Sequence, residues 1–153
     1  MKNRKKTIIS ALLSLLLLLG LCACGGNSSA SVDIKTLPEA ILKQVKFEDQ
    51  LAEINQNAIE NFYDVPDGVT GRVFLGSGAT AEEIAVFQAP DEATAKTMAE
   101  NAKQHISDRI ASFENYIPEQ VQLLDHAIVK QIGSCVVVCV AADTDSALQV
   151  IGG

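Results

Sequence analysis

The sequence has no tryptophan, two tyrosines (Tyr63 and Tyr116) and two histidines (His105 and His126). A sugar- or peptide-binding groove usually relies on several aromatic rings for apolar contact area, so this composition counts against carbohydrate recognition. A metal site would have to join the histidines to Cys135 and Cys139, but neither CxxC nor HxxxH spacing occurs; no metal and no cofactor is expected. Basic residues are also scarce. Twelve Lys and Arg face 19 Asp and Glu, for a net charge of −7. A nucleic-acid binder needs a basic stripe, so that partner is excluded.

The few cations are unevenly placed. Lys2, Arg4, Lys5 and Lys6 precede an almost wholly apolar stretch, residues 8–21, with five leucines from Leu15 to Leu19. A basic start followed by a short apolar run is a secretory signal, and the run is short of the about 20 residues a spanning helix needs. Leu21-Cys22-Ala23-Cys24 resembles the lipobox of bacterial lipoproteins, with Leu at minus three, a small residue at minus one and then the cysteine. That resemblance implies diacylglycerol on the Cys24 thiol, cleavage before Cys24 and acyl chains such as palmitate. Cys22 fits less well, because bulky Leu21 would precede the cut. Two acyl chains anchor stably on a bilayer, whereas one is marginal. The signal carries away four cations and no acid, leaving 8 basic residues against 19 acids, or −11. Such a domain would not lie flat on anionic lipid.

Three segments are expected: a signal peptide over 1–23, the lipidated cysteine and a flexible tether over 24–32, and one domain over 33–153. The tether reads GGNSSAS, a Gly/Ser coil of about 15 Å root-mean-square reach. Thr36 and Glu39 make a capping-box pattern, with Pro38 early in a helix reaching Val45. Residues 51–62 are a weaker helical candidate, ended by the Pro66-Asp67-Gly68 turn. Strands are expected over 69–75 and 83–89, joined through Gly76-Ser77-Gly78. Val69, Val73 and Leu75 should share one face of the first. Residues 91–113 are the strongest helix, with Ala95, Met98, Ala99, Ala102, Ile106, Ile110 and Phe113 on one side. Strands over 127–130 and 135–141 flank Gly133-Ser134, the second reading as a buried central strand. Asp143 or Asp145 caps a final helix. Strand pairs separated by a long helix predict an α+β fold: an antiparallel sheet of about four strands with helices mainly on one face.

The chemistry-bearing residues do not assemble into a motif. Cys135 and Cys139 lie four apart on one strand, about 13 Å along it, too far for a disulfide; both are expected to pack as small hydrophobes. His105 flanks the apolar stripe. Gly76-Ser77-Gly78 lacks both the GxSxG elbow and the GxxxxGK[ST] loop, so a turn role is expected. Asp143-Thr144-Asp145 lacks the glycine and distal glutamate of a calcium loop. Glu82-Glu83 and Asp91-Glu92 read as solvated ends of elements. No catalytic residue is assigned, and no ligand-binding residue is legible.

The stretch Gly76-Ser77-Gly78-Ala79-Thr80-Ala81-Glu82-Glu83-Ile84-Ala85-Val86-Phe87 resembles the signature of an uncharacterised bacterial lipoprotein family, domain of unknown function number four-three-five-eight. Further matches are Ser112 to Glu119, Ala127-Ile128-Val129-Lys130 and the Gly-x-x-Val-Val strand from Gly133. The resemblance covers nearly all of the mature chain and implies an envelope lipoprotein, with no activity or catalytic residue to carry over. Cys135 and Cys139 depart from the family's aliphatic or aromatic strand pattern. The expected protein is therefore anchored to the extracytoplasmic face of the cell membrane through acylated Cys24. It is more readily a binding module for an envelope protein or ligand than an enzyme. A small hydrolase using carboxylates or Ser77, and a passive structural protein, are the alternatives.

Overall fold

The computed structural model describes residues 32–152. The expected signal segment, Cys24 and the Gly/Ser tether lie outside the described residues. In chain order the elements are α1 (Leu37–Gln44), β1 (Ala52–Glu53), β2 (Thr70–Leu75), β3 (Glu83–Gln88), α2 (Glu92–Glu114), α3 (Val121–Asp125), β4 (Ile128–Ile132), β5 (Cys135–Val140) and α4 (Thr144–Ile151), with 3-10 turns at Gln56–Asn61 and Pro118–Gln120.

The fold is α+β around an antiparallel sheet, as expected. The sheet has five strands, ordered β1-β2-β3-β5-β4. Each neighbouring pair is antiparallel, so no crossover between parallel strands is needed. β5 is buried along its whole length beside β3, the central position its Val136-Val137-Val138-Cys139-Val140 run implied. Gly133, at φ 58°, takes the first position of the two-residue β4–β5 loop, where a type II′ turn requires a left-handed residue.

Helices cover both faces of the sheet rather than mainly one. On the first, Ala95, Met98, Ala99, Ala102 and Ile106 of α2 pack on Val73, Ala85, Phe87, Val136, Val138 and Val140. The alanines let the helix sit close to the strands. On the second, Ile41 and Val45 from α1 and its C-cap, with Ala147 and Ile151 of α4, cover Phe74, Ile84, Val86, Val137 and Cys139. The physical reason is visible in β3: Ile84-Ala85-Val86-Phe87 does not alternate with polar residues, so both its faces must leave water. β2 divides as expected, with Val69, Val73 and Leu75 toward the α2 face and Phe74 toward the other.

Helix caps largely follow the sequence. The Asp91 carboxylate accepts the Thr94 N–H at 2.7 Å, and Asp143 accepts that of Ser146 at 3.1 Å. The capping box at Thr36 does not form. Asp33 substitutes for it, its carbonyl accepting the N–H groups of Thr36 (3.1 Å) and Leu37 (2.9 Å). Glu39 is instead drawn to Arg72 of β2 at 2.7 Å, and Arg72 also makes a bidentate pair with Glu53. One guanidinium thus ties α1, β1 and β2 together.

Residues 51–62 are not an α-helix; the helical part is a 3-10 segment, Gln56–Asn61. Ala52 and Glu53 add a two-residue strand to the edge of β2, and Ile54 donates its N–H to the Val73 carbonyl at 2.9 Å. Asn55 then accepts the Asn57 N–H at 3.0 Å and starts the 3-10 turn. Asn and Asp side chains compete locally for backbone donors, and that outweighed the helical spacing of the apolar residues.

Candidate functional site

Two consecutive acidic residues, Glu82 just before β3 and Glu83 at its first position, lead into the strand, and the expectation that they are solvated is overturned. Glu82 is 2% exposed and Glu83 0%. Neighbouring residues at a strand's start point to opposite faces, so each carboxylate meets a different environment.

Glu83 faces α2. One carboxylate oxygen accepts the Tyr63 hydroxyl; the other accepts Arg109 Nη1 and His105 Nε2, the latter at 3.1 Å. His105 Nδ1 meets the Phe62 carbonyl at 2.8 Å, so both ring nitrogens face oxygen atoms. The imidazole stacks on Tyr63 with centroids 4.0 Å apart, and Phe87 meets Tyr63 edge-on at 4.9 Å. Burial pushes the Glu83 carboxyl upward, but the hydrogen bond and charge of His105, with Arg109 and Tyr63, outweigh it and hold the carboxyl below its ordinary value. Burial, followed by the Glu83 charge, raises the Tyr63 phenol well above its usual value.

The helix residues in this cluster belong to a polar seam beside the apolar stripe of α2. Asn101 donates to the Asp64 carbonyl at 2.8 Å, His105 follows four residues later, and Arg109, four further on, donates to the Ala81 carbonyl at 3.1 Å. The seam joins the long helix to the 3-10 segment and to the start of β3. Its groups satisfy one another, and no buried side-chain nitrogen or oxygen among the described residues lacks a partner. What this cluster does chemically is lock three segments together. The seam escaped sequence reading, although Asn101, His105 and Arg109 at intervals of four along one helix were a usable signal.

Glu82 faces the other way, into a cleft of about 320 Å³ at the end of the sheet where β3 starts and β5 finishes. Thr80 and Glu82 line one side, Ala141 and Ala142 the β5 end, and Gln122, Leu123 and His126 of α3 and its C-cap the opposite side. Glu48 and Glu119, both exposed, contribute further carboxylates. Glu82 is fixed by the N–H groups of Glu48 and Asp49, each at 2.8 Å, with the Thr80 hydroxyl at 3.4 Å. Gln120 accepts the Ala81 N–H at 2.8 Å and so pins the Pro118–Gln120 turn beside the cleft. The two histidines are therefore separated: His105 is in the core, His126 at the cleft.

The remaining sequence candidates fall outside both places. Ser77 is exposed in the β2–β3 connection, where its hydroxyl and N–H both donate to Asp49 Oδ2, at 2.7 and 2.6 Å, holding that carboxyl below its usual range. It fastens a turn. Cys135 and Cys139 are free and buried. Cys135 donates to Gln88 Oε1 at 2.9 Å, and burial, with Glu82 and Glu83 nearby, pushes the Cys139 thiol up to about 12. No group of three or more His, Cys, Asp or Glu that could hold a metal ion occurs among the described residues.

Compared with known proteins, residues 43–141 match one family model, described as Domain of unknown function (DUF4358). No curated protein and no solved structure matches the chain.

Proposed function

The chain belongs to the DUF4358 family, and we propose that it is a lipid-anchored binding module of the bacterial cell envelope whose ligand site is the cleft at Glu82. The observation that carries the binding reading is the cleft itself. It is a concavity of about 320 Å³ with convergent polar side chains, at the lower edge of the size range of small-molecule sites. The buried Glu83 cluster is no rival site, because its groups are engaged with one another.

The anchor rests on the N-terminal sequence: a basic start, an apolar run and the Leu21-Cys22-Ala23-Cys24 lipobox pattern. The fold is compatible with it. The Val32 carbonyl lies 3.4 Å from the Cys135 sulfur, where β5 begins, while the cleft is bordered by Ala141 and Ala142, just past the end of β5. Six strand residues separate these ends by about 20 Å. A tether reaching Val32 from a lipid on Cys24 thus meets the domain opposite the cleft, which would face away from the membrane. A serine-hydrolase alternative finds no support at Ser77, whose hydroxyl is held by Asp49 and not by a histidine.

Two measurements test the reading. In a bacterial host the full chain should appear in the membrane fraction with an acylated Cys24 at its N-terminus, and Cys24→Ala should be released to the medium. A Cys24→Ala protein that stays with the membrane would refute the anchor. Independently, a small-fragment screen by NMR on the full chain should give saturable shifts at Thr80, Glu82, Gln122 and Thr144. Shifts clustered elsewhere, or none, would refute the cleft.

A further inference from the structure

We infer that the outer edge of β4 takes an extended segment of another protein as an additional strand, with apolar side chains at alternate positions seated beside α2. The inference is independent of the cleft at Glu82. β4 ends the sheet on one side, and no strand among the described residues pairs with its outer edge. The two-residue Gly133-Ser134 loop closes on the pair Ile132 and Cys135, which in such a hairpin exchange both hydrogen bonds. Alternation then turns the N–H and C=O groups of Ile128, Lys130 and Ile132 toward β5 and those of Val129 and Gln131 outward. No other backbone group among the described residues bonds the outward set. The usual defences of an edge are also missing. β4 has no proline, and its register runs through five pairs without a bulge. The Gln131 side chain folds back to the carbonyls of Glu92 and Gly133, at 2.9 and 3.0 Å, and that of Lys130 to the Gly152 carbonyl.

A groove of about 330 Å³ on the α2 side of this edge selects the incoming side chains. Ile106 and Ile110 of α2, with Leu124, Ala127 and Val129, make it apolar, and Lys103 and Asp125 add opposite charges. A strand laid along β4 sends every second side chain to that side, so alternate apolar residues match it. A second copy of the chain does not. The two-fold register that pairs Val129 with Gln131 across the copies sets one Lys130 against the other, and like charges directly opposite are destabilising. From Cys24 onward each chain also carries 8 basic residues against 19 acids, so two copies repel. The chain's own N-terminal segment does not match either. Val32 and Ile34 pack on the opposite face of the sheet, with α1 and α4, and GGNSSAS has Ala30 as its one apolar side chain. The matching occupant is a segment of a different protein, alternately apolar and without net negative charge.

The test uses the full chain in detergent micelles and a phage-displayed library of random dodecapeptides. Selected peptides should alternate apolar residues and lack net negative charge. In the free chain the Val129 and Gln131 amides should exchange fast with solvent, and those of Lys130 and Ile132 slowly. The synthetic form of an enriched peptide should slow the first two. N-methylation of alternate amides on the peptide's bonded edge should abolish binding, and this arm leaves the protein untouched. Gln131→Pro removes an N–H outside the β4–β5 ladder, a position where an edge strand tolerates proline. It should weaken binding about tenfold, as a hydrogen bond lost with its carbonyl left unpaired does. Ser107→Arg, at an exposed helix position, fills the groove and should also weaken binding. Val129 and Gln131 amides already slow in the free chain would overturn the inference, because a second copy or the chain's own N-terminal segment would then hold the edge. So would failure to enrich any peptide, peptides without alternation, protection elsewhere on the domain, or binding indifferent to N-methylation. None of these outcomes touches the cleft, which is read at Thr80, Glu82, Gln122 and Thr144.

Discussion

Glu83 and His105 are joined across the sheet–helix interface by a 3.1 Å contact between the carboxylate and Nε2, while Nδ1 of the same ring holds the Phe62 carbonyl. One imidazole therefore links β3, α2 and the segment after the 3-10 turn. The carboxylate has no access to water, so the stability of the link depends on keeping all its partners.

Glu83→Ala should be among the most destabilising single substitutions in the domain. It leaves the Arg109 guanidinium and the His105 ring facing an emptied, buried site, and breaking a buried ion pair from one side typically costs about 3–5 kcal/mol. Urea unfolding followed by circular dichroism checks this. A change below about 1 kcal/mol would mean that the pairing contributes little.

The same carboxylate makes the fold sensitive to acid. Its folded pKa lies below the ordinary glutamate value, so the unfolded chain takes up the proton more readily. The contribution is complete above the ordinary carboxylate range and is lost as pH falls through the depressed folded value. Thermal midpoints measured from pH 7 down to pH 2 should fall, and Glu83→Gln should flatten part of that slope. A residual slope is expected from Asp91 and Asp143, whose caps also hold their carboxyls low.

Gly71→Ala should be destabilising for a purely steric reason. A Cβ at this position would lie 2.4 Å from Cδ1 of Phe87, a ring with no exposure to solvent. Moving that ring costs about 1–3 kcal/mol, as overpacking usually does. In a double-mutant cycle, Phe87→Leu should cost less in the Gly71→Ala background than in the wild type. Strict additivity would show that the ring is not the obstacle.

Cys139 should be inert in the folded protein. With its thiol pushed up to about 12 by burial, then by Glu82 and Glu83, only about one molecule in 10⁴ carries the thiolate at pH 8. Reaction with a disulfide reagent should await unfolding, so its rate should rise with urea. Fast labelling of Cys139 in native buffer would contradict the burial described.

The parts of this fold that were legible in the sequence are those set by local rules. The α2 stripe follows from 3.6-residue periodicity, its start from Asp91, and β5 from an uninterrupted β-branched run. The covered second face was also written in β3, whose Ile84-Ala85-Val86-Phe87 run has no polar alternation. Glu82 and Glu83 were not legible, because a pair of acids at a strand end is ordinarily solvated. Their burial depends on partners far along the chain: Tyr63 is 20 residues away from Glu83 and the Glu48 N–H is 34 from Glu82. The cleft is likewise built from segments whose meeting is decided by topology, leaving no spacing for a motif search to find. β1 was missed because two residues are too few to show a period.

The layer formed by α1 and α4 has a mechanical consequence. These helices come from opposite ends of the described chain, touch each other and cover one face of the sheet. Tension drawn through the N-terminal end reaches α1 before any of the ladders joining β2, β3, β5 and β4. The first contacts to yield would be those of Val32 and Ile34, then the apolar ones of Leu37, Ile41 and Val45, peeled away one after another, while the strands stay paired and α2 stays seated on the far side. A tethered domain of this design would give way under load at its clasp, with the Glu83 junction still closed.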